Sequence, residues 1–401
     1  MDFFEQQARA RRQTQLLIWL FVLAVLAVIA LNYFIFGTIA RAFYEPLPHR
    51  NRVYGFLPTL FLLIGEIFVH PRHYLRWLWD VRLAGWIALG SVISIALGCF
   101  YKMRFLARGG PAVAELLAGR RVIPETSDMH EQCLRNVVEE MAIASGMSVP
   151  EIYVLDHERG INTFAAGHTR EDVAIGVTYG CLKLLSRDEL QGVIAHEFSH
   201  ILNGDTRLNM RLMALAHGLS WPTIVGRIAL YGDDFEPVTG ESIFDEKVSQ
   251  VRAPLVPVAF FFLAVGSISL PLVRLIKSLI CREREWLADA AAVQFTRNPD
   301  GLTGAFRKIG GLLKQGRLDS PWAEAMSHLY FVNSAHERAR FQSTHPPLLK
   351  RILRIDPVFD GQFTRVRSLP SRDAEYDRLY EESVRRAKAE VEAHPENWGD
   401  A

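Results

Sequence analysis

Residues 185–205 read LSRDELQGVIAHEFSHILNGD, and the rest of the 401-residue chain is organised around them. Ser186 followed by Glu189 is an S-x-x-E capping box. Leu190, Val193, Ile194 and Ile201 recur at helical spacing, and Asn203-Gly204 is a stop signal. A helix is therefore expected here, on which His196 and His200, four apart, share one face. Two imidazoles aimed at a common point suit a zinc ion, at Zn–N distances of about 2.0–2.1 Å. Glu197 is turned about 100° from His196. It is therefore placed to take a proton from water and not to ligate a metal. A chance H-E-x-x-H on a surface helix is the competing reading. The apolar neighbours argue against it, because an unpaired carboxylate buried among them is costly.

Composition narrows the class. The formal charge of +1 excludes a strongly basic nucleic-acid binder. Cys99, Cys133, Cys181 and Cys281 are scattered with no C-x-x-C pair, so they suggest neither a disulfide framework nor a zinc ribbon. The 49% hydrophobic content is ordinary, but it is concentrated in long blocks. Residues 15–36 are nearly all apolar and follow Arg9, Arg11 and Arg12. They are long enough to span a bilayer, which takes about 20 residues, and long for a cleaved signal. Residues 83–101 form a second span, followed by Lys102, Arg104 and Arg108. Residues 53–70, with Pro58, Gly65 and Glu66 inside and aromatic and basic flanks, read as an interfacial segment.

Four regions follow from this: an N-terminal membrane region (1–104), a first soluble part with the H-E-x-x-H helix (105–207), a membrane hairpin (208–273) around an acidic connector (232–252), and a second soluble part (274–401). In the first soluble part, residues 128–144 suit an amphipathic helix, and 152–155 and 173–177 suit short strands. Asn162-Thr163-Phe164-Ala165 lies between the strands. Residues 373–393 read as a solvated terminal helix.

A catalytic zinc usually takes three protein ligands, so one more is required. Glu285, in Arg282-Glu283-Arg284-Glu285-Trp286-Leu287-Ala288-Asp289, is the strongest candidate. Asp289, one turn on, could accept the free N–H of a ligating histidine. A salt-bridged helix face is the plainer alternative.

The set His196-Glu197-x-x-His200 plus Glu285-x-x-x-Asp289, with the words LSRDELQGVIAHEFSHILNGD, R-E-x-x-A-D and Ser343-Thr344-His345-Pro346-Pro347, resembles the gluzincin pattern of the HtpX-type integral-membrane zinc metallopeptidases. The CAAX prenyl proteases are more distant relatives. The resemblance covers roughly residues 101–355. It implies one zinc per chain on His196, His200 and Glu285, with Glu197 as general base and acid. It also implies that Asn162, Thr163, Phe164 and Ala165 hold an extended substrate by strand addition, and that His345 lies near the metal as an oxyanion donor. Otherwise His345 and Arg351 fix a Pro-Pro turn. His328 is a weaker candidate of the same kind. The remaining histidines have no ligand-like company.

The expected fold is mainly α with a small antiparallel-edged β-sheet (α+β), a gluzincin domain with transmembrane helices. The expected function is zinc-dependent endopeptidase action on misfolded or membrane polypeptides. The partners are those polypeptides and the lipid bilayer, with no nucleic acid. The alternatives are a narrow-specificity CAAX-type processing protease and a non-catalytic scaffold with structural zinc. The protein is expected to be multi-pass, in the inner membrane if the chain is bacterial. Two spans from an inside N-terminus leave the catalytic part on the cytoplasmic side, and a third full span would reverse that. The connector 232–252 carries six acidic residues but only Lys247 and Arg252, which favours the outside. A cysteine placed at Ser242 is therefore expected to react with a membrane-impermeant thiol probe from the side opposite a cysteine at His157. Labelling of both from one side would mean that neither flanking stretch crosses.

Overall fold

The computed structural model describes residues 3–38, 69, 71–231, 256–312, 316–318, 326–333, 343–366 and 369. The expected interfacial segment (apart from Val69 itself), the connector 232–252 and the terminal helix 373–393 lie outside them. The chain divides into two compact units. One comprises Met1–Arg108, Arg207–Glu283 and Glu337–His345. The other comprises Gly109–Thr206, Arg284–His336 and Pro346–Ala401.

The first unit begins with α1 (Phe3–Asn32), extended by a π-helical turn Tyr33–Gly37. Next come α2 (Pro71–Leu78) and α3 (Val81–Phe105). Ile18–Gly37 and Val81–Arg108 are long and apolar enough to cross a membrane. Their outward Trp19, Leu23, Trp86 and Leu97 are more than half exposed, as side chains facing lipid would be. Inside, Ala24, Val28, Ile95, Leu212 and Ile276 pack together. Buried Asn32 donates to the Ser91 hydroxyl at 2.7 Å. The α2–α3 corner is fixed by Tyr33, whose hydroxyl donates to Leu78 O (2.6 Å) and accepts from Asp80 N–H (2.7 Å). Asp80 in turn caps α3 through the N–H groups of Arg82 and Leu83.

The second unit holds α4 (Gly110–Leu116), β1 (Arg120–Arg121), α5 (Met129–Ser145), β2 (Glu151–Leu155), β3 (Thr163–Ala166), β4 (Ala174–Thr178), α6 (Tyr179–Leu184) and α7 (Arg187–Leu202). Then come α8 (Asp205–Tyr231) and α9 (Val256–Thr296, 41 residues), followed by α10 (Pro299–Gly311) and α11 (Leu348–Ile355). Residues 208–231 and 256–273 of the expected hairpin are helical within α8 and α9. The sheet order is β1-β2-β4-β3. Its central pair is parallel and both outer pairs are antiparallel, so the fold is mainly helical with a small antiparallel-edged sheet, as the sequence implied.

The H-E-x-x-H helix, α7, is the axis of this unit. Its capping box is complete: the Glu189 N–H donates to the Ser186 hydroxyl, and the Ser186 N–H donates to the Glu189 carboxylate at 2.7 Å. Lys308 of α10 adds an ion pair to the same carboxylate at 2.6 Å. Val193, Ile194 and Phe198 are wholly buried against Val137 and Val138 of α5 and Phe306 of α10. One turn before His196, Gly192 lets α10 approach backbone to backbone, since a Cβ there would lie 2.7 Å from Leu302 N. Gly192→Val is therefore expected to force α7 and α10 apart at a cost of about 1–3 kcal/mol, read as an earlier unfolding transition of the full chain. An unchanged transition would show that the contact yields without cost.

Candidate metal centre

Three side chains converge in the second unit. His196 and His200, one turn apart on α7, face Glu285 of α9. Their ligand atoms all lie within 4.8 Å of one another. The two Nε2 atoms are 3.1 Å apart. Nε2 of His196 is 3.6 Å from Glu285 Oε2, and Nε2 of His200 is 3.3 Å from Glu285 Oε1. Two nitrogens on one tetrahedral zinc would be about 3.3 Å apart. All three residues are buried or nearly so.

Both histidines are backed by carboxylates. Nδ1 of His196 lies 3.0 Å from Asp289 Oδ1, and Nδ1 of His200 lies 2.9 Å from Asp205 Oδ2. When each Nδ1 carries its proton toward a carboxylate, each Nε2 presents a lone pair. Two lone pairs at that separation repel unless a proton or a cation sits between them. The His200 imidazole responds accordingly. Burial alone lowers its pKa, but the hydrogen bonds to Asp205 and Glu285 outweigh burial and push it up to about 10. A metal would replace that proton.

The charges point the same way. Glu197, Asp205, Glu285 and Asp289 face the guanidiniums of Arg284 and Arg351. With the carboxylates ionised and both histidines neutral, two negative charges remain, which is the deficit a divalent ion fills. The donor set of two imidazoles and a carboxylate also suits zinc.

Glu197 is 1% exposed, and Thr163 donates its hydroxyl to Oε1 at 2.7 Å. Oε2 has no hydrogen-bond partner among the described residues. Burial pushes the carboxyl pKa up, and His196, His200 and Thr163 pull it back only in part. A carboxylate so placed is primed to accept a proton.

Arg351 joins the parts. It is 1% exposed and grips Asp289 with two hydrogen bonds, Nε to Oδ2 at 2.8 Å and Nη2 to Oδ1 at 2.6 Å. Its Nη1 donates to Phe331 O at 2.6 Å and lies 3.3 Å from Glu285 Oε2. The guanidinium also stacks on Phe306 and Phe331, and Phe331 meets the His196 ring edge-on. Burial would raise the Asp289 pKa, but Arg351 and His196 hold it below the ordinary value.

The Asn162–Ala165 stretch, which the resemblance implies holds an extended substrate, lies in and just before β3. All four residues are buried. Phe164 pairs antiparallel with Tyr330, and Thr163 O accepts from Phe331 N–H at 2.9 Å. The Asn162 amide is bound to Gly316 O and to both backbone groups of Val332. The chain's own residues 330–332 thus occupy the outer side of β3 at Thr163 and Phe164. His345 belongs to the first unit. There it is buried, its Nδ1 faces the Thr344 hydroxyl at 2.9 Å, and its carbonyl accepts from the Ser343 hydroxyl at 2.7 Å. Arg282 also donates to Ser343 O at 2.8 Å. His328 is buried in the second unit.

Sequence reasoning did not anticipate Asp205, Arg284, the Thr163–Glu197 bond or the hub role of Arg351. Asp205 was legible only as the last letter of the helix-terminating N-G-D.

Comparison with known proteins finds the following similarities. A family model described as Peptidase family M48 matches residues 128–358. A protein named Protease HtpX homolog from Thermoanaerobacter pseudethanolicus is 32% identical over 307 residues, covering 76% of this chain and 94% of its own length. Proteins of the same name from Leuconostoc citreum (31% over 308 residues; 75% and 96%) and Streptococcus uberis (31% over 275 residues; 66% and 85%) are similar. A crystal structure of S. mikatae Ste24p is 19% identical with a TM-score of 0.35, and the match covers 75% of this chain and 62% of that one.

Breaking a buried pair by removing one partner costs about 3–5 kcal/mol. Arg351→Met is expected to destabilise the full chain by that amount, measured by unfolding in detergent. A loss below 1 kcal/mol would show that Asp289 and Glu285 do not depend on it.

Proposed function

This chain belongs to peptidase family M48, and from that membership we propose that it is a membrane-bound, zinc-dependent endopeptidase. His196, His200 and Glu285 hold one zinc ion per chain. When bound, zinc supplies Lewis acidity, polarising the scissile carbonyl and lowering the pKa of water from 15.7 to about 7. Glu197 takes the proton of the attacking water on Oε2 and returns it to the leaving amine, a contribution of about 10²–10⁴-fold. Thr163 holds Oε1 and so fixes the carboxylate's direction. Asp289 and Arg351 keep His196 in the tautomer whose Nε2 faces the metal.

The observation that carries this reading is the pair of Nε2 atoms 3.1 Å apart with both Nδ1 atoms facing carboxylates. The buried Glu197 beside them favours catalysis over a scaffold role. The substrates are misfolded or membrane polypeptides, and the catalytic part faces the cytoplasm. The support for both is the HtpX-type resemblance, the two apolar helices and the basic residues that follow the second of them. Pairing of a peptide with β3 is restricted to the edge beyond Phe164, because residues 330–332 hold the rest.

Glu197→Gln keeps the shape and removes the base. The expected result is a folded protein with a full complement of zinc and no turnover of an unfolded casein substrate. Turnover near the parent's would remove Glu197 from the chemistry. Glu285→Ala is expected to lose the metal, and stoichiometric zinc in that variant at low free zinc would overturn the ligand set.

A further inference from the structure

Asp205 lies outside the proposed ligand set but in direct contact with it. It is the first residue of α8, three places beyond the end of α7, and only 3% exposed. One carboxylate oxygen, Oδ2, lies 2.9 Å from His200 Nδ1. The other, Oδ1, is bound by the guanidinium of buried Arg284. Arg284 immediately precedes Glu285 on α9. The arrangement repeats what Asp289 and Arg351 do for His196, in the same chain order of histidine, aspartate and arginine. Each histidine faces one carboxylate oxygen, and the second oxygen of each carboxylate is gripped by a buried arginine.

We infer that Asp205 is the positioning residue for His200, that Arg284 locks it in place, and that this pair sets the spacing between His200 and Glu285. The inference rests on the zinc reading above and deepens it. The physics has two parts. A carboxylate on Nδ1 fixes the imidazole tautomer and raises the basicity of Nε2, and losing such a partner typically costs metal affinity about 10–100-fold. Arg284 holds the other oxygen of that carboxylate, so Asp205 is kept from turning away from Nδ1. Because the same helical turn carries Arg284 and Glu285, the ion pair ties the helix start that orients His200 to the helix that supplies the third ligand.

The test uses the full chain in detergent, with zinc affinity measured by competition against a chelator and the absorption spectrum of the cobalt-substituted protein recorded alongside. Asp205→Ala is expected to weaken zinc binding about 10–100-fold and to shift the cobalt bands. Asp205→Asn keeps the size and one acceptor for Nδ1–H, so it is expected to fall between Ala and the parent. Parent-like affinity and spectrum in both variants would overturn the inference while leaving the zinc reading intact. If Asp205→Ala does not fold, the isosteric Asn variant decides. Weakened affinity with shifted bands supports positioning, whereas lower thermal stability with parent-like affinity and bands assigns Asp205 a merely structural role and overturns it. Failure of the zinc reading itself is distinguishable, because the parent would then hold no stoichiometric zinc and His200→Ala would change nothing.

Discussion

A buried charge must have a partner, and the second unit is built around that constraint. Two histidines, four carboxylates and two guanidiniums are gathered where water barely reaches. None of them would be tolerated there singly. Asp289 is held by Arg351 and Asp205 by Arg284, and each carboxylate then spends its remaining capacity on a histidine. What is left over is negative and lies between the two Nε2 atoms and Glu285. The site is thus shaped for a cation by the way its other charges have been neutralised.

The surrounding packing serves that arrangement. The core on both sides of α7 removes any freedom of the helix to rotate, and the Gly192 contact with Leu302 brings α10 as close as backbone allows. Phe306 and Phe331 stack on each other and on Arg351, so the guanidinium is held by aromatic faces as well as by carboxylates. Residues 330–332 are bound both by Asn162 and by Arg351. The strand beside Glu197 and the arginine behind His196 and Glu285 are therefore parts of one network.

Much of this was legible in the chain and some was not, for physical reasons. The α7 helix, its capping box and the pairing of His196 with His200 are local, set by spacing within a few residues, and could be read directly. The Glu285–Asp289 helix was legible by the same i,i+4 logic once a third ligand was required. Two strands of the sheet, β2 and β4, were legible as short apolar runs at 152–155 and 173–177. Asp205, Arg284 and Arg351 act across 79 and 62 residues of sequence, and no local pattern marks such partners. Asn162–Ala165 shows the limit in another form. Its strand character could be anticipated, but the Phe164–Tyr330 pairing that covers its outer side brings together residues far apart in the chain. Thr163, expected to hold substrate through the strand's backbone, also uses its side chain to donate to Glu197.

The dependence of the centre on Arg351 sets a schedule for the chain's birth. During synthesis His196, Glu197 and His200 leave the ribosome first, Glu285 and Asp289 follow a helix later, and Arg351 comes last. Until that final residue arrives, Asp289 lacks its cation and residues 330–332 lack one of their two anchors. A half-made chain therefore carries the hydrolytic motif without the means to hold it in working order. The full set of contacts around His196 and Glu285 therefore closes only once the chain has been made as far as Arg351.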